Sequence, residues 1–475
     1  MTNPDTLVLS SVTVIDTRDG SLAPDMDVTV IGEKISTITP TGTGPGQPSG
    51  ASIDARGKYV VPGFLDMHAH PFELKDPTGS LELMLATGIT GFRQMSGSPK
   101  LLEQRASGTL PMPHESPALL AMPGSLLTPF NAATPRAAAR TVTGQHAAGA
   151  DFIKVGMVTP EVFFSAQHQA ARLGIPILGH LPVNIDVIAA SRGGMRSIEH
   201  LGPGLGILAA CSREEEQIRA VLAGRKTPKI PAVKIPFMER AVARLIRKLV
   251  VNPNSRATAA DLALIRRAID TFDEARCAEL AERFRSDGTW QTPTLIRIRT
   301  GEMCDAEEYR SDPDLAYVDA RTAATWQAAG AAFAQRPAEQ RATFRDLYAL
   351  QQRLTKLLDD RGVKILAGSD ACGAAWVVPG YSLHHEFDEL ADAGLAPLRV
   401  LQSATLRGAE FLDTTATMGT VEPGKNADMV LLDANPIEDV KNLHAVSAVV
   451  RAGRYYSPEA LQEIKDRVAA SRSVQ

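Results

Sequence analysis

The strongest constraint on the fold is a set of five short apolar runs, each closing on or near a side chain with metal chemistry. In chain order they are Leu65-Asp66-Met67-His68-Ala69-His70, Phe152-Ile153-Lys154-Val155, Ile177-Leu178-Gly179-His180, Ser197-Ile198-Glu199-His200 and Ile365-Leu366-Ala367-Gly368-Ser369-Asp370. Histidine and aspartate bind metals as they stand, and lysine does so only when modified. A chain that repeatedly stops a buried strand on such a residue aims several strand ends at one point. Parallel barrels do this, with their active sites at the C-terminal ends of the strands.

The rest of the pattern agrees with that architecture. Over 7–61, short runs of Val, Ile and Thr alternate with polar residues, at 7–10, 12–15, 27–31, 35–38 and 59–61. Asp19-Gly20, Gly32 and the Gly/Pro-rich 42–50 punctuate them as turns. At the far end, Gly419-Thr420-Val421 leads through the turn Glu422-Pro423-Gly424-Lys425 to strands at 429–432 and 446–451. Neither flank has enough strands to bury an apolar face alone. Residues 1–61 and 416–475 are therefore expected to build one small β-sandwich between them. Residues 62–415 change to βα alternation, with strands near 65–70, 89–95, 117–122, 152–156, 176–180, 197–200, 290–295 and 365–369. That is the number a closed (β/α)8 TIM barrel needs. Two helical insertions, near 211–288 and 303–362, flank the seventh strand, and 237–250 and 259–285 carry the clearest helical spacing. Connections this long usually carry function. At least one is expected to cover the site or to build a subunit contact beside it, so a homo-oligomer is expected.

Composition narrows the class. At 475 residues, 44% hydrophobic and 22% charged, the chain is an ordinary globular protein. Its net charge of −4 and the lack of long like-charge blocks speak against nucleic-acid or anionic-membrane partners. Cys211, Cys277, Cys304 and Cys372 are scattered without a CxxC pair, which fits a reduced, cytoplasmic setting. Residues 1–7 do not read as a signal peptide, and no apolar run is long enough to span a bilayer.

His68 and His70 are two apart on a strand and so share a face, where both imidazoles can reach one ion. A solvated strand face is the plain alternative, against which stand the apolar 60–65 and the break at Pro71. His180 and His200 taken singly would serve as core or loop histidines. Their weight comes from order and matched position. A carboxylate at Asp370, after so apolar a stretch, costs on the order of several kcal/mol unless paired or metal-bound, a helix N-cap being the alternative. Lys154 needs an acidic partner or modification. Carbamylation by CO2 would make it a carboxylate-like group able to bridge two cations. Arg297 and Arg299 would share a face if the seventh strand runs on, and could clamp a substrate carboxylate. Solvated arginines are the alternative. His384 and His385 read as surface or packing residues, and 376–381 as a pocket cover or a plain βα loop.

The order His-x-His, Lys, His, His, Asp on strands one, four, five, six and eight resembles the metal-dependent amidohydrolase superfamily. The lead-in Val60-Val61-Pro62-Gly63-Phe64-Leu65-Asp66-Met67-His68-Ala69-His70 is similar to its first motif. Gly419-Thr420-Val421-Glu422-Pro423-Gly424-Lys425-Asn426-Ala427-Asp428-Met429-Val430-Leu431-Leu432-Asp433 is similar to its closing one. Gly179-His180-Leu181-Pro182, Ser197-Ile198-Glu199-His200-Leu201 and Thr292-Pro293-Thr294-Leu295 resemble the imidazolonepropionase-like and prolidase-like branch. The resemblance covers nearly the whole chain and carries no motif in 211–288 or 303–362.

The resemblance implies a two-metal site. His68, His70 and Asp370 would hold one ion and His180 and His200 the other. Carbamylated Lys154 and a hydroxide would bridge the two. Asp370 would be the general base and then acid. All-N/O ligation suits Zn2+ best, with Mn2+, Co2+ or Fe2+ as alternatives. The implied activity is hydrolysis of an amide bond in a small peptide or N-acyl amino acid. A lactone, ester or phosphotriester is the runner-up substrate for the same site. Imidazolonepropionase itself is mononuclear and lacks the bridging lysine, so Lys154 argues against that activity. A hydrolytic deaminase is disfavoured on the same ground. A non-catalytic binding protein on an inherited barrel is disfavoured by the complete ligand set.

Overall fold

The computed structural model describes residues 6–43, 51–182, 184–224 and 251–473. The helical stretch expected at 237–250 lies outside the described residues.

The first flank forms β1 (Thr6–Ile15), β2 (Leu22–Ile31), β3 (Lys34–Pro40), β4 (Ala51–Asp54) and β5 (Tyr59–Pro62). The two runs read at 7–10 and 12–15 are one strand with a register shift between Leu9 and Val12, where Ser11 takes a positive φ of 59°. Such a bulge bends a strand without ending it. The central strands are β6 (Phe64–Ala69), β7 (Ile89–Gln94), β8 (Ala118–Ala121), β9 (Ile153–Val155), β10 (Ile177–Gly179), β11 (Met195–Glu199) and β12 (Trp290–Thr292). The last flank adds β13 (Met429–Leu432), β14 (Val446–Arg451) and β15 (Arg454–Tyr456).

Strands from the two flanks share one eight-stranded sheet, ordered β15-β14-β13-β5-β1-β2-β3, with β4 also on β1. β5 and β13 join them, pairing antiparallel from Tyr59 with Leu432 to Pro62 with Met429. Leu9, Val28, Val30 and Val60 from one end and Met429, Leu431 and Val450 from the other fill a common core. Each such side chain contributes roughly 1.5–3 kcal/mol by leaving water. The pairing is continuous. β1 carries β2 on one edge and β4 then β5 on the other, so hydrogen bonds join strands that a sandwich would stack as two faces.

The central strands are all parallel, in a sheet β6-β7-β8 and a sheet β9-β10-β11-β12. Apart from β8, whose first three residues are half-buried, their residues are almost wholly buried, as parallel strands covered on both faces must be. Between the sheets, Asp151 N donates to Met122 O at 3.0 Å, and Leu127 exchanges bonds with Lys154 and Gly156, both at 3.0 Å. On the far side, residues 364–371 run between β12 and β6. Gln291 N donates to Lys364 O (3.0 Å) and Leu366 N to Gln291 O (2.9 Å). Met67 N then donates to Ala367 O (3.0 Å), Asp370 N to His68 O (2.7 Å) and His70 N to Ala371 O (3.0 Å). A Cβ on Gly368 would stand 2.6 Å from the Cβ of His68, so only glycine permits this approach.

The seventh strand is shorter than its apolar pattern suggested. It stops at Thr292, Thr294 takes a left-handed φ of 47°, and a helix covers Leu295–Glu302. Of the second insertion, helices Ala320–Ala334 and Ala338–Asp360 form as their spacing predicts. Its Tyr309 and Trp326 rings lie 5.1 and 6.1 Å from Trp376, on the loop that follows Asp370. Trp376 Nε1 donates to Tyr309 O at 3.1 Å. No described helix is long and apolar enough to cross a membrane.

His384 is a packing residue with a charge consequence. It is buried against Phe64 and Phe387, and its Nε2 donates to Thr87 O at 2.7 Å. Burial, with the charge of His444 second, depresses its pKa to about 3. The unfolded chain takes up this proton below about pH 6.5 while the folded chain refuses it until about pH 3, so stability is lost as pH falls through that window. We expect urea-unfolding stability to fall more steeply from about pH 7.5 to about pH 5 in the wild type than in His384→Gln, whose amide can still donate to Thr87. Equal slopes would remove His384 from the account.

Candidate metal centre

The ends of β6, β9, β10 and β11 and the segment before Ala371 converge. Asp370 Oδ1 lies 3.2 Å from His68 Nε2 and 3.0 Å from His70 Nε2. Ligand atoms of His68, His200 and Asp370 all lie within 4.8 Å of one another. The His200 ring is 4.6 Å from that of His68 and 5.2 Å from that of His180. Lys154 Nζ lies 3.4 Å from His68 Nε2. All six residues expected as metal ligands are thus brought together.

The outward nitrogens show what the inward ones are for. His68 Nδ1 is 2.6 Å from Glu199 Oε2, and a carboxylate only accepts. His70 Nδ1 is 3.2 Å from Glu73 Oε1 and 3.0 Å from Ser96 Oγ. His200 Nδ1 is 2.5 Å from Thr294 Oγ1, whose own proton goes to Pro293 O at 2.7 Å. In each case Nδ1 is the natural donor, which leaves the Nε2 lone pair turned inward. Metal-binding histidines are held this way. Lone pairs on imidazole and carboxylate then meet at 3.0–3.2 Å, an arrangement that asks for a cation between them. This donor set fits divalent metal.

Desolvation shapes the charges. It lowers the Lys154 pKa, with the carboxylates of Asp370, Glu199 and Glu73 opposing. It pushes His180 to about 3 and His200 well below the usual imidazole range. His200, Thr294 and Asp370 all have positive φ, of 56°, 47° and 56°. Left-handed backbone costs such residues about 1–3 kcal/mol each and is concentrated at functional sites.

A model of the Amidohydrolase family matches residues 342–455. The whole chain is similar to the solved structure of bottromycin amidohydrolase, with a TM-score of 0.71 and 23% identity over 99% of this chain and 91% of that one. The family match covers about a quarter of the chain, and the likeness over its full length is one of fold. The chain is also similar to a Xaa-Pro dipeptidase solved with methionine in its active site, with a TM-score of 0.59 and 18% identity over 95% and 100% of the two chains. Adenine deaminase from Rubrobacter xylanophilus is 39% identical over 67 residues, 14% of this chain and 11% of that protein. The chain thus spans about a tenth of the length of the curated relatives it matches.

In this chain the two arginines part company. They lie on the helix Leu295–Glu302, and a helix sends i and i+2 to different sides, so the shared strand face is lost. Arg297 Nε stands 3.2 Å from Asp370 Oδ2, at the site. Arg299 turns away to Glu389 (3.1 Å) and Glu308, so no two-arginine clamp forms. Glu199, Thr294, Ser96 and Glu73, which hold the imidazoles from outside, and Arg93 behind Glu199 were not singled out in the sequence. Glu199 stands beside His200 within a recognised run, and Arg93 interrupts the apolar run of β7, but neither position names its partner. Asp66 was not singled out either. It accepts from His68 N and Ser369 N, both at 3.1 Å, and from Ser369 Oγ at 2.5 Å.

Thr294→Val keeps the shape but removes the acceptor for His200 Nδ1–H. Metal affinity should fall about 10-fold or more, read by competition with a chelator, while the thermal stability of the metal-free protein stays close to wild type.

Proposed function

We propose that this protein is a binuclear metal-dependent hydrolase that cleaves amide bonds of small peptides or N-acyl amino acids. One observation carries the reading: four imidazoles, a carboxylate and a lysine amine converge, with His180 and His200 half-buried and three of the imidazoles tied back through Nδ1. The likeness to an amidohydrolase and a dipeptidase supports the bond type. The ring of pairings through β6–β12 and 364–371 supports reading 62–415 as a closed (β/α)8 barrel. Residues 1–61 and 416–475 would then form the accessory sheet domain. Four free cysteines, of which the thiols of Cys211 and Cys277 meet without pairing, support a cytoplasmic setting.

His68, His70 and Asp370 would hold one divalent ion, His180 and His200 the other, with Zn2+ the best match to the donors. Such ions acidify water and polarise a carbonyl. The chain's own part is proton transfer and orientation. Asp370 takes the proton of the attacking water and gives it to the leaving amine. Arg297, against Oδ2, fixes the pose of that carboxylate and is the residue we assign to a substrate carboxylate. Lys154 can add CO2 only as the neutral amine. Its nitrogen forms the new N–C bond, one proton leaves, and a carbamate anion results. Desolvation favours that neutral form.

A panel of dipeptides, acyl amino acids, lactones, phosphotriesters and adenine tests the reading. Amide cleavage that is lost on chelation and restored by Zn2+ supports it. Activity confined to esters, lactones or phosphotriesters, or adenine deamination alone, replaces it.

Two substitutions probe the roles. Asp370→Asn should lower turnover on order of 10²–10⁴-fold while retaining at least part of the metal, and near-normal turnover would move the proton shuttle elsewhere. Lys154→Ala should lower metal occupancy by elemental analysis and cost most activity, partly restored by added short carboxylates. Full occupancy and activity would rule out the bridge.

A further inference from the structure

β7 carries a guanidinium into the buried interior. Arg93 is fully buried. Its Nε donates to Met67 O at 2.6 Å, and its Nη2 lies 3.0 and 3.2 Å from Glu199 Oε1 and Oε2 and 3.4 Å from Thr292 Oγ1. The Phe411 ring centre lies 4.9 Å from its guanidinium carbon. Glu199 is fully buried too. Ser197 Oγ donates to its Oε1, and its Oε2 receives His68 Nδ1 at 2.6 Å. One carboxylate oxygen therefore takes Ser197 and the nearer Arg93 contact, and the other takes the histidine and the longer Arg93 contact.

We propose that Arg93 and Glu199 are a positioning pair that sets the tautomer of His68. Arg93 has only donors, so it demands an acceptor at Oε1. The ionised carboxylate then offers a pure acceptor at Oε2, His68 keeps its proton on Nδ1, and the Nε2 lone pair faces the site. The inference rests on reading His68 as a metal ligand. It adds that the buried arginine, from a different strand and without touching His68, decides which nitrogen is available.

The arrangement has a directional consequence. In Glu199→Gln the single amide oxygen goes to Arg93 and Ser197, and the amide N–H2 is presented to His68 Nδ1. That nitrogen must then accept, the proton moves to Nε2, and Nε2 closes to a cation. With Arg93→Met added, the bias is gone, and the amide can turn its oxygen to Nδ1 while the Ser197 hydroxyl accepts from the amide. A second substitution beside the first should therefore restore function. A merely structural role would make the double variant worse.

The test uses the full chain. Zn2+ affinity is measured by chelator competition for the wild type, Glu199→Gln and Arg93→Met/Glu199→Gln. The tautomer of His68 is read from ¹⁵N-histidine NMR of the metal-free proteins, assigned by the signal missing in His68→Gln. We expect the Nδ1–H form in the wild type. Glu199→Gln should show the Nε2–H form and an affinity loss on the order of 10–100-fold, and the double variant should recover part of that loss and the Nδ1–H form. Glu199→Gln that keeps the wild-type tautomer and affinity overturns the proposal. A folded double variant as weak as Glu199→Gln overturns the part given to Arg93. Should the double variant not fold, the spectrum of Glu199→Gln decides alone. A wild type that binds no Zn2+ sinks the metal reading, and the tautomer measurement, which needs no metal, separates that failure from failure of the pair.

Discussion

The site depends on the seam between β6 and residues 367–371. Asp370 N–H donates to His68 O at 2.7 Å, and His70 N–H to Ala371 O at 3.0 Å. These backbone bonds join segments about 300 residues apart and place Asp370 against both histidines. Asp66 locks the seam from within by accepting from His68 N, Ser369 N and Ser369 Oγ. Its own carboxyl is raised by burial, the cost of placing an acid there. Gly368 lets the two backbones close to this distance.

Around that seam the protein gathers polar groups and satisfies most of them locally. The inner ring is made of acceptors and one amine. The outer ring of Glu199, Thr294, Ser96 and Glu73 takes the Nδ1 protons, and Arg93 supplies the cation that Glu199 needs. A buried carboxylate without such a partner would neutralise, and its hold on the imidazole proton would weaken. The strain at His200, Thr294 and Asp370 falls on the same ring, where the chain must turn sharply as it leaves the strand.

The second insertion adds a different kind of support. Its Tyr309 and Trp326 pack on Trp376, in the loop that leaves Asp370, and this cluster continues to Leu461, Ile464 and Val468 of the helix Pro458–Ser473. The loop beyond the carboxylate is thereby anchored to the insertion and to the C-terminal helix at once. Arg299, expected at the substrate, belongs to this framework through Glu308 and Glu389.

The sequence by itself determined the candidate ligand types, their order and their attachment to strand ends. Apolar runs closing on His70, His180, His200 and Asp370 are local patterns, and local patterns survive in a linear string. It also showed that the two flanks lack enough strands to stand alone, though not that they would pair as a single continuous sheet. Three things were decided only by tertiary structure. The seventh strand ended early because Thr294 turned left-handed to meet His200, and that turn put Arg297 and Arg299 on a helix with different neighbours. The partners of the imidazole Nδ1 atoms come from residues as distant as 131 positions, as with His68 and Glu199. Arg93 gained its role only when β7 was folded beside β6 and across from β11. The physical reason is common to all three. Periodicity encodes which face a residue takes, whereas hydrogen-bond partnership depends on which strands become neighbours.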